Sequence, residues 1–135
     1  MMRMRISDEW KDYECLDVAQ GYKIERFGSF ILKRPESTAH DTPNLLDIHL
    51  DGYHSGNEWI YNHLPHTWNL HYKDMKFMLR LHEYKHIGIF PEQATNWDFI
   101  RKTGKIHKPK RVLNLFGYTG AATLAAAMED VEEVV

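Results

Sequence analysis

The stretch RVLNLFGYTGAATLAAAM, residues 111–128, constrains this chain more than any other. Arg111–Phe116 is an apolar run of strand length, the kind buried on both faces of a parallel sheet. The turn Gly117-Tyr118-Thr119-Gly120 follows, and Ala121–Met128 is then a strong helix former with almost no bulk. The closing Glu132-Glu133-Val134-Val135 reads as the opening of another strand. Strand, glycine-containing turn, small-residue helix and strand make the beginning of a βαβ unit, and hence of a parallel sheet. Ligands in such sheets sit beyond the carboxyl ends of the strands, where a tight glycine turn lets the backbone come close to a nucleotide. Gly117 and Gly120 are expected to supply the permissive backbone, with Ala121 and Ala122 packing closely behind it. By spacing alone, a left-handed turn that binds nothing is an equal reading.

Upstream, the texture is strand-like. Between Tyr13 and Arg34, Tyr22, Ile24, Phe30 and Leu32 are apolar among Lys23, Glu25, Ser29 and Lys33, with Gly21 and Gly28 as punctuation. A short meander is predicted, ended by Pro35. Residues 36–64 are expected to be mostly loop, because Pro43, Gly52 and Gly56 interrupt any period. Trp68, Leu70 and Tyr72 alternate with Asn69 and His71, and Phe77, Leu79 and Leu81 with Lys76, Met78 and Arg80, across a polar Lys73-Asp74 turn, a hairpin pattern. Beyond Lys85, Pro91 suits a first helical position, Glu92 the positive helix start and Gly104 the end. Phe90, Ala94, Trp97 and Ile100 then share one face. The expected fold class is α/β (α+β overall). Residues 1–84 form a small antiparallel β-rich domain with one buried face, and 85–135 begin a doubly wound domain.

Composition narrows the function classes. The 135 residues carry a net charge of -2, so no global field points to a partner. A single cysteine, Cys15, excludes an internal disulfide framework and a four-cysteine zinc site and fits a reducing compartment. No segment approaches the roughly 20 apolar residues of a membrane span, and the start lacks a signal-peptide core. A cytoplasmic protein without a membrane partner is expected.

NLFGYTG, taken with the upstream HIGIFPEQATNWDFI, resembles the class I S-adenosylmethionine-dependent methyltransferases of the ribosomal RNA large-subunit type, in which a small sheet domain precedes a Rossmann-like domain. Fainter likeness runs through YECLDVAQGYKIERFGSFILKRP and LHYKDMKFMLRL. The resemblance implies S-adenosyl-L-methionine as cofactor and RNA, ribosomal RNA in particular, as substrate. It implies that Asn114, Phe116, Gly117, Tyr118, Thr119 and Gly120 line the methionine half of the cofactor, joined by Gln93 and walled by Phe90. Asn114 departs from the pattern, standing where many class I enzymes have an acidic residue, although an amide can still accept a hydrogen bond. The family's ribose-holding acid and its catalytic residues would lie beyond Val135. The chain is therefore expected to be an amino-terminal part, inactive alone, with uncovered apolar faces on 111–116 that favour self-association.

Other readings remain beside this one. Nine histidines include His63, His66 and His71, but no cysteine accompanies them, and solvated side chains are expected rather than a metal site. Cys15 is expected to be a buried structural residue without a catalytic role. Arg101, Lys102, Lys105, Lys108, Lys110 and Arg111 cluster with few acids nearby in sequence, and Trp59, Tyr61, Trp68 and Tyr72 could give a stacking surface for single-stranded RNA. A non-catalytic nucleic-acid-binding β domain that keeps a relic of the cofactor turn is the alternative.

Overall fold

The computed structural model describes residues 6–39 and 45–135. Residues 1–5 and 40–44 lie outside the described residues; the latter hold Pro43, part of the stretch expected to be loop. The chain divides into two compact units, residues 10–87 and residues 88–135 with the amino-terminal stretch through Glu9.

The first unit opens with β1 (Tyr13–Ala19), β2 (Tyr22–Phe27) and β3 (Phe30–Pro35), an antiparallel meander. Its turns explain its registers. Ala19 pairs with Tyr22, so Gln20 and Gly21 make a two-residue loop, and both have positive φ (51° and 78°). That backbone matches the twist of the flanking strands. Gly28, at φ 66°, opens the next two-residue loop in the same way. Two short strands that no periodicity announces, β4 (Gly52–His54) and β5 (Trp59–Tyr61), complete a five-stranded sheet in the order β1-β2-β3-β4-β5. The β3–β4 pairing is parallel, the one such pair in a sheet otherwise antiparallel. Gly52 is needed there for packing. A Cβ on it would lie 3.0 Å from Leu64 Cδ1 and 3.1 Å from Tyr61 Cβ.

β6 (Trp68–Tyr72) and β7 (Met75–Leu79) form the expected hairpin across Lys73-Asp74. Trp68, Leu70, Tyr72, Met75 and Leu79 are buried, while Asn69, His71, Lys76 and Met78 face out.

The meander departs from the expectation of one buried face. Ile24 and Glu25 are adjacent, so they point to opposite faces of β2, yet both are buried. Glu25, read from sequence as a solvated strand position, is fully buried and answered by charge and hydrogen bonds. Arg34 donates to it twice, Nε to Oε2 at 2.6 Å and Nη2 to Oε1 at 3.0 Å. The Tyr13 hydroxyl donates to Oε1 at 2.8 Å, and Lys23 Nζ stands 3.6 Å away. Burial, then the Glu25 carboxylate, push the Tyr13 phenol well above its ordinary range.

In the second unit, a single 3-10 turn (Pro91–Gln93) leads into α1 (Ala94–His107), followed by β8 (Arg111–Val112), α2 (Ala121–Ala127) and β9 (Glu133–Val134). Strands β8 and β9 pair in parallel, Arg111 with Glu133 and Val112 with Val134, which is the expected βαβ unit. The first strand is shorter than the apolar run suggested. Pairing beyond Val112 continues only as Asn114 N–H to Val135 O at 2.6 Å, and Leu113 and Leu115 are each 68 % exposed.

Two other expectations are corrected here. Gly104 does not end α1 but sits buried inside it, and Lys108, at φ 44°, closes the helix by donating to Gly104 O at 2.8 Å. Glycine is required because a Cβ at 104 would fall 2.9 Å from Glu129 Cβ, where α1 and α2 meet. The basic run, in turn, is not free of acids. Arg101 donates to Glu129 at 2.6 Å, Lys105 lies 3.9 Å from the same carboxylate, Lys110 is 3.8 Å from Glu132, and Arg111 donates to Glu133 at 2.5 Å.

Candidate functional site

A cleft of about 560 Å³ opens at the carboxyl end of β8, within the second unit. Two segments wall it, the entry to α1 and the turn after β8. On the helix side, Phe90, Gln93, Trp97 and Ile100 line it; on the turn side, Asn114, Leu115, Phe116, Gly117, Tyr118 and Thr119 do so, with Ala121 and Ala122 at the start of α2. The structure thus brings together seven of the eight residues singled out for the site: Phe90, Gln93, Asn114, Phe116, Gly117, Tyr118 and Thr119. Gly120 lines no part of the cleft and instead begins α2 at φ 90°, its N–H donating to Gly117 O at 2.8 Å.

The two walls are tied directly. The Phe90 and Tyr118 rings lie 4.8 Å apart at 34°, a tilted aromatic contact. Thr119 Oγ1 donates to Gly88 O at 2.5 Å. Within the helix wall, Asn96 Nδ2 donates to Gln93 Oε1 at 2.7 Å and fixes the amide that the resemblance singled out. Within the turn wall, Asn114 Nδ2 donates to Thr123 Oγ1 at 2.8 Å, so its Oδ1 is the atom able to accept from a ligand.

The backbone of the turn is bent where glycine was not expected to be needed. Phe116 and Tyr118 have positive φ (58° and 50°), whereas Gly117 does not. Bulky side chains avoid that region, at a cost on the order of 1 kcal/mol or more each, and such residues cluster at ligand sites. Gly117 serves closeness instead, since a Cβ on it would lie 3.2 Å from Asn114 Nδ2. Phe116 is fully exposed as a result.

Glu92 and Asn96 also line the cleft and were not among the expected site residues. Helical spacing could have found Asn96, because 93, 96, 97 and 100 fall on one face once Gln93 is placed there. Nothing in the spacing marks Glu92.

The remaining candidates sit elsewhere. Cys15 is exposed on β1 rather than buried, which corrects its expected burial. Desolvation of its thiol and then the Glu25 carboxylate push its pKa up, so it is a poor nucleophile near neutrality. His71 points outward to Asp12, with Nδ1 3.2 Å from Oδ2, and His63 and His66 are exposed. Among the described residues, no group of three or more possible ligands gathers around a metal position. Of the four aromatics considered for stacking, Trp68 and Tyr72 are core, Trp59 donates its Nε1–H to Tyr84 O at 2.9 Å, and Tyr61 is half-exposed. No helix among the described residues is long and apolar enough to cross a membrane.

A β-rich unit followed by a βαβ opening, with an aromatic and amide-lined cleft at the strand end, places the chain in the α/β class. Among solved structures it is similar to the SAM-dependent methyltransferase from Agrobacterium tumefaciens, with 32% identity and a TM-score of 0.84 over 92% of this chain and 43% of that one. A Streptococcus mutans protein assigned as a SAM-dependent methyltransferase shares the fold at 16% identity and a TM-score of 0.68, over 94% of this chain and 38% of that one. A structure of an assigned methyltransferase complexed with SAH does so at 17% identity, a TM-score of 0.68 and the same coverage of 94% and 38%. The chain spans less than half the length of each of these proteins. No protein-family model and no curated protein matches it.

Proposed function

We propose that this chain is the donor-binding part of an S-adenosylmethionine-dependent methyltransferase of the cytoplasm whose methyl acceptor is RNA, ribosomal RNA of the large subunit in particular. The observation that carries the reading is that Gln93 and the 114–119 turn, far apart in sequence, face one cleft. Similarity to the Agrobacterium SAM-dependent methyltransferase supports it independently.

The residues fit the group. A volume of about 560 Å³ lies within the usual range for small-molecule sites. The cleft offers aromatic walls for a flat base and amide and hydroxyl groups for an amino-acid end. When bound, S-adenosylmethionine supplies a methyl on a positively charged sulfur. What the chain's own residues do is position and exclude water. Phe90, Trp97 and Tyr118 form the dry wall, Asn114 Oδ1 accepts a hydrogen bond, and Gln93, held by Asn96, orients.

RNA as acceptor rests on the family resemblance and on one surface of the first unit. Lys33 Nζ lies 5.0 Å from the Tyr22 ring centroid and 5.5 Å from that of Tyr53, which is itself partly exposed. A cation between aromatic rings offers both a phosphate contact and a stacking platform. The basic run gives a purely nucleic-acid-binding module less support, because Arg101, Lys105, Lys110 and Arg111 stand beside acids.

Calorimetry tests the reading. The chain should bind S-adenosylmethionine with a dissociation constant on the order of 10 μM to 1 mM, and Gln93→Ala and Asn114→Ala should each weaken it by roughly 3–10-fold. No binding at millimolar ligand, or variants without effect, would overturn it.

A further inference from the structure

The cleft is almost uncharged. Its polar lining consists of the Gln93, Asn96 and Asn114 amides and the Thr119 and Tyr118 hydroxyls, and Glu92 is its one carboxylate. On the reading proposed above, the ligand is a cation overall, with a sulfonium and an α-ammonium against one carboxylate. A cleft made only of amides and hydroxyls can orient such a molecule but gives it no counter-charge. Asn114 cannot supply one, because an amide is neutral at every relevant pH.

We infer that Glu92 is the counter-charge for the α-ammonium of the amino-acid end, and so a determinant of affinity for any ligand that carries that group. Two arguments direct the carboxylate to the ammonium and not to the sulfonium. An ammonium presents three N–H donors and needs acceptors, and Glu92 lines the cleft together with Gln93, which the resemblance puts at the methionine half of the cofactor. A carboxylate beside the sulfonium would itself be a nucleophile in reach of the methyl and would occupy the path that an acceptor needs. An exposed carboxylate on a turn also has the freedom to swing onto a small ligand without disturbing packing.

The test compares three ligands on the chain and on Glu92→Gln by calorimetry. S-Adenosylmethionine and S-adenosylhomocysteine both carry the ammonium, whereas 5′-methylthioadenosine lacks the amino-acid end and is neutral. The substitution should weaken the first two alike, by roughly 3–10-fold for a partly solvated pair, and leave the third unchanged. Because Glu92 is exposed and the change is isosteric, folding should not be affected; a thermal midpoint equal to that of the parent chain checks this. Equal affinity of parent and variant for S-adenosylmethionine overturns the inference. So does a loss confined to S-adenosylmethionine, which would put the charge at the sulfur, or a loss shared by 5′-methylthioadenosine, which would make the effect one of shape. If the parent chain binds none of the three, it is the donor-binding reading that fails.

Discussion

Glu25 carries more of the first unit than its place in a strand would suggest. Its two bonds from Arg34 and one from Tyr13 mean that no member of the group can be removed without leaving another unanswered in the interior. The Tyr13 phenol gives this a pH signature. Its folded pKa is raised, so the stabilisation is fully present below the unfolded phenol's value of about 10 and is lost as pH rises beyond it. The urea midpoint should therefore drop more steeply between about pH 9 and 11 in the parent chain than in Tyr13→Phe. Parallel curves would show that the phenol is not shielded as described. Glu25 was invisible in the sequence for a plain reason. Strand alternation assigns charged residues to water, and only the partner Arg34, nine residues along on the adjacent strand, reverses the assignment.

At the level of elements, what could be read depended on length and repetition. The β6–β7 hairpin repeats its in-out alternation over ten paired residues, and its register follows. Strands β4 and β5 have three residues each, too few to show a period, and a side chain at Gly52 would crowd Leu64 and Tyr61. The helix α1 runs past Gly104 because that glycine admits Glu129 instead of ending the helix. That difference is measurable. Glycine to alanine inside a helix ordinarily gains up to about 1 kcal/mol, yet Gly104→Ala should lose roughly 1–3 kcal/mol, because Glu129 Cβ cannot retreat as a flexible tip could. A chemical-denaturation midpoint at or above that of the parent would refute the packing account. The site was legible in the same partial way. The family resemblance, not spacing, put Gln93 beside the 114–119 turn, but the left-handed Phe116 and Tyr118 were not foreseeable, since nothing about aromatic residues suggests that backbone.

For the molecule as a whole, the apolar surface of the second unit is concentrated where β8 runs into the turn. Leu113, Leu115 and Val135 are each more than 60 % exposed, and Phe116 is fully so. We expect the isolated chain to self-associate through this patch. Size-exclusion elution should move toward larger species as concentration rises through about 10–100 μM, and Leu113→Ser with Leu115→Ser should return it to a monomer. A concentration-independent monomer that binds no hydrophobic dye would remove the expectation.

The pairing of Arg101, Lys105, Lys110 and Arg111 with Glu129, Glu132 and Glu133 also bears on any polyanion that approaches this side. A nucleic acid ordinarily gains affinity when basic side chains displace the mobile ions condensed on its phosphates, and those ions scatter into bulk solution. Here the basic groups already hold neutralising partners that are tethered to the same polypeptide and cannot drift away. An incoming phosphate would have to prise them apart and leave the stranded carboxylates alongside itself.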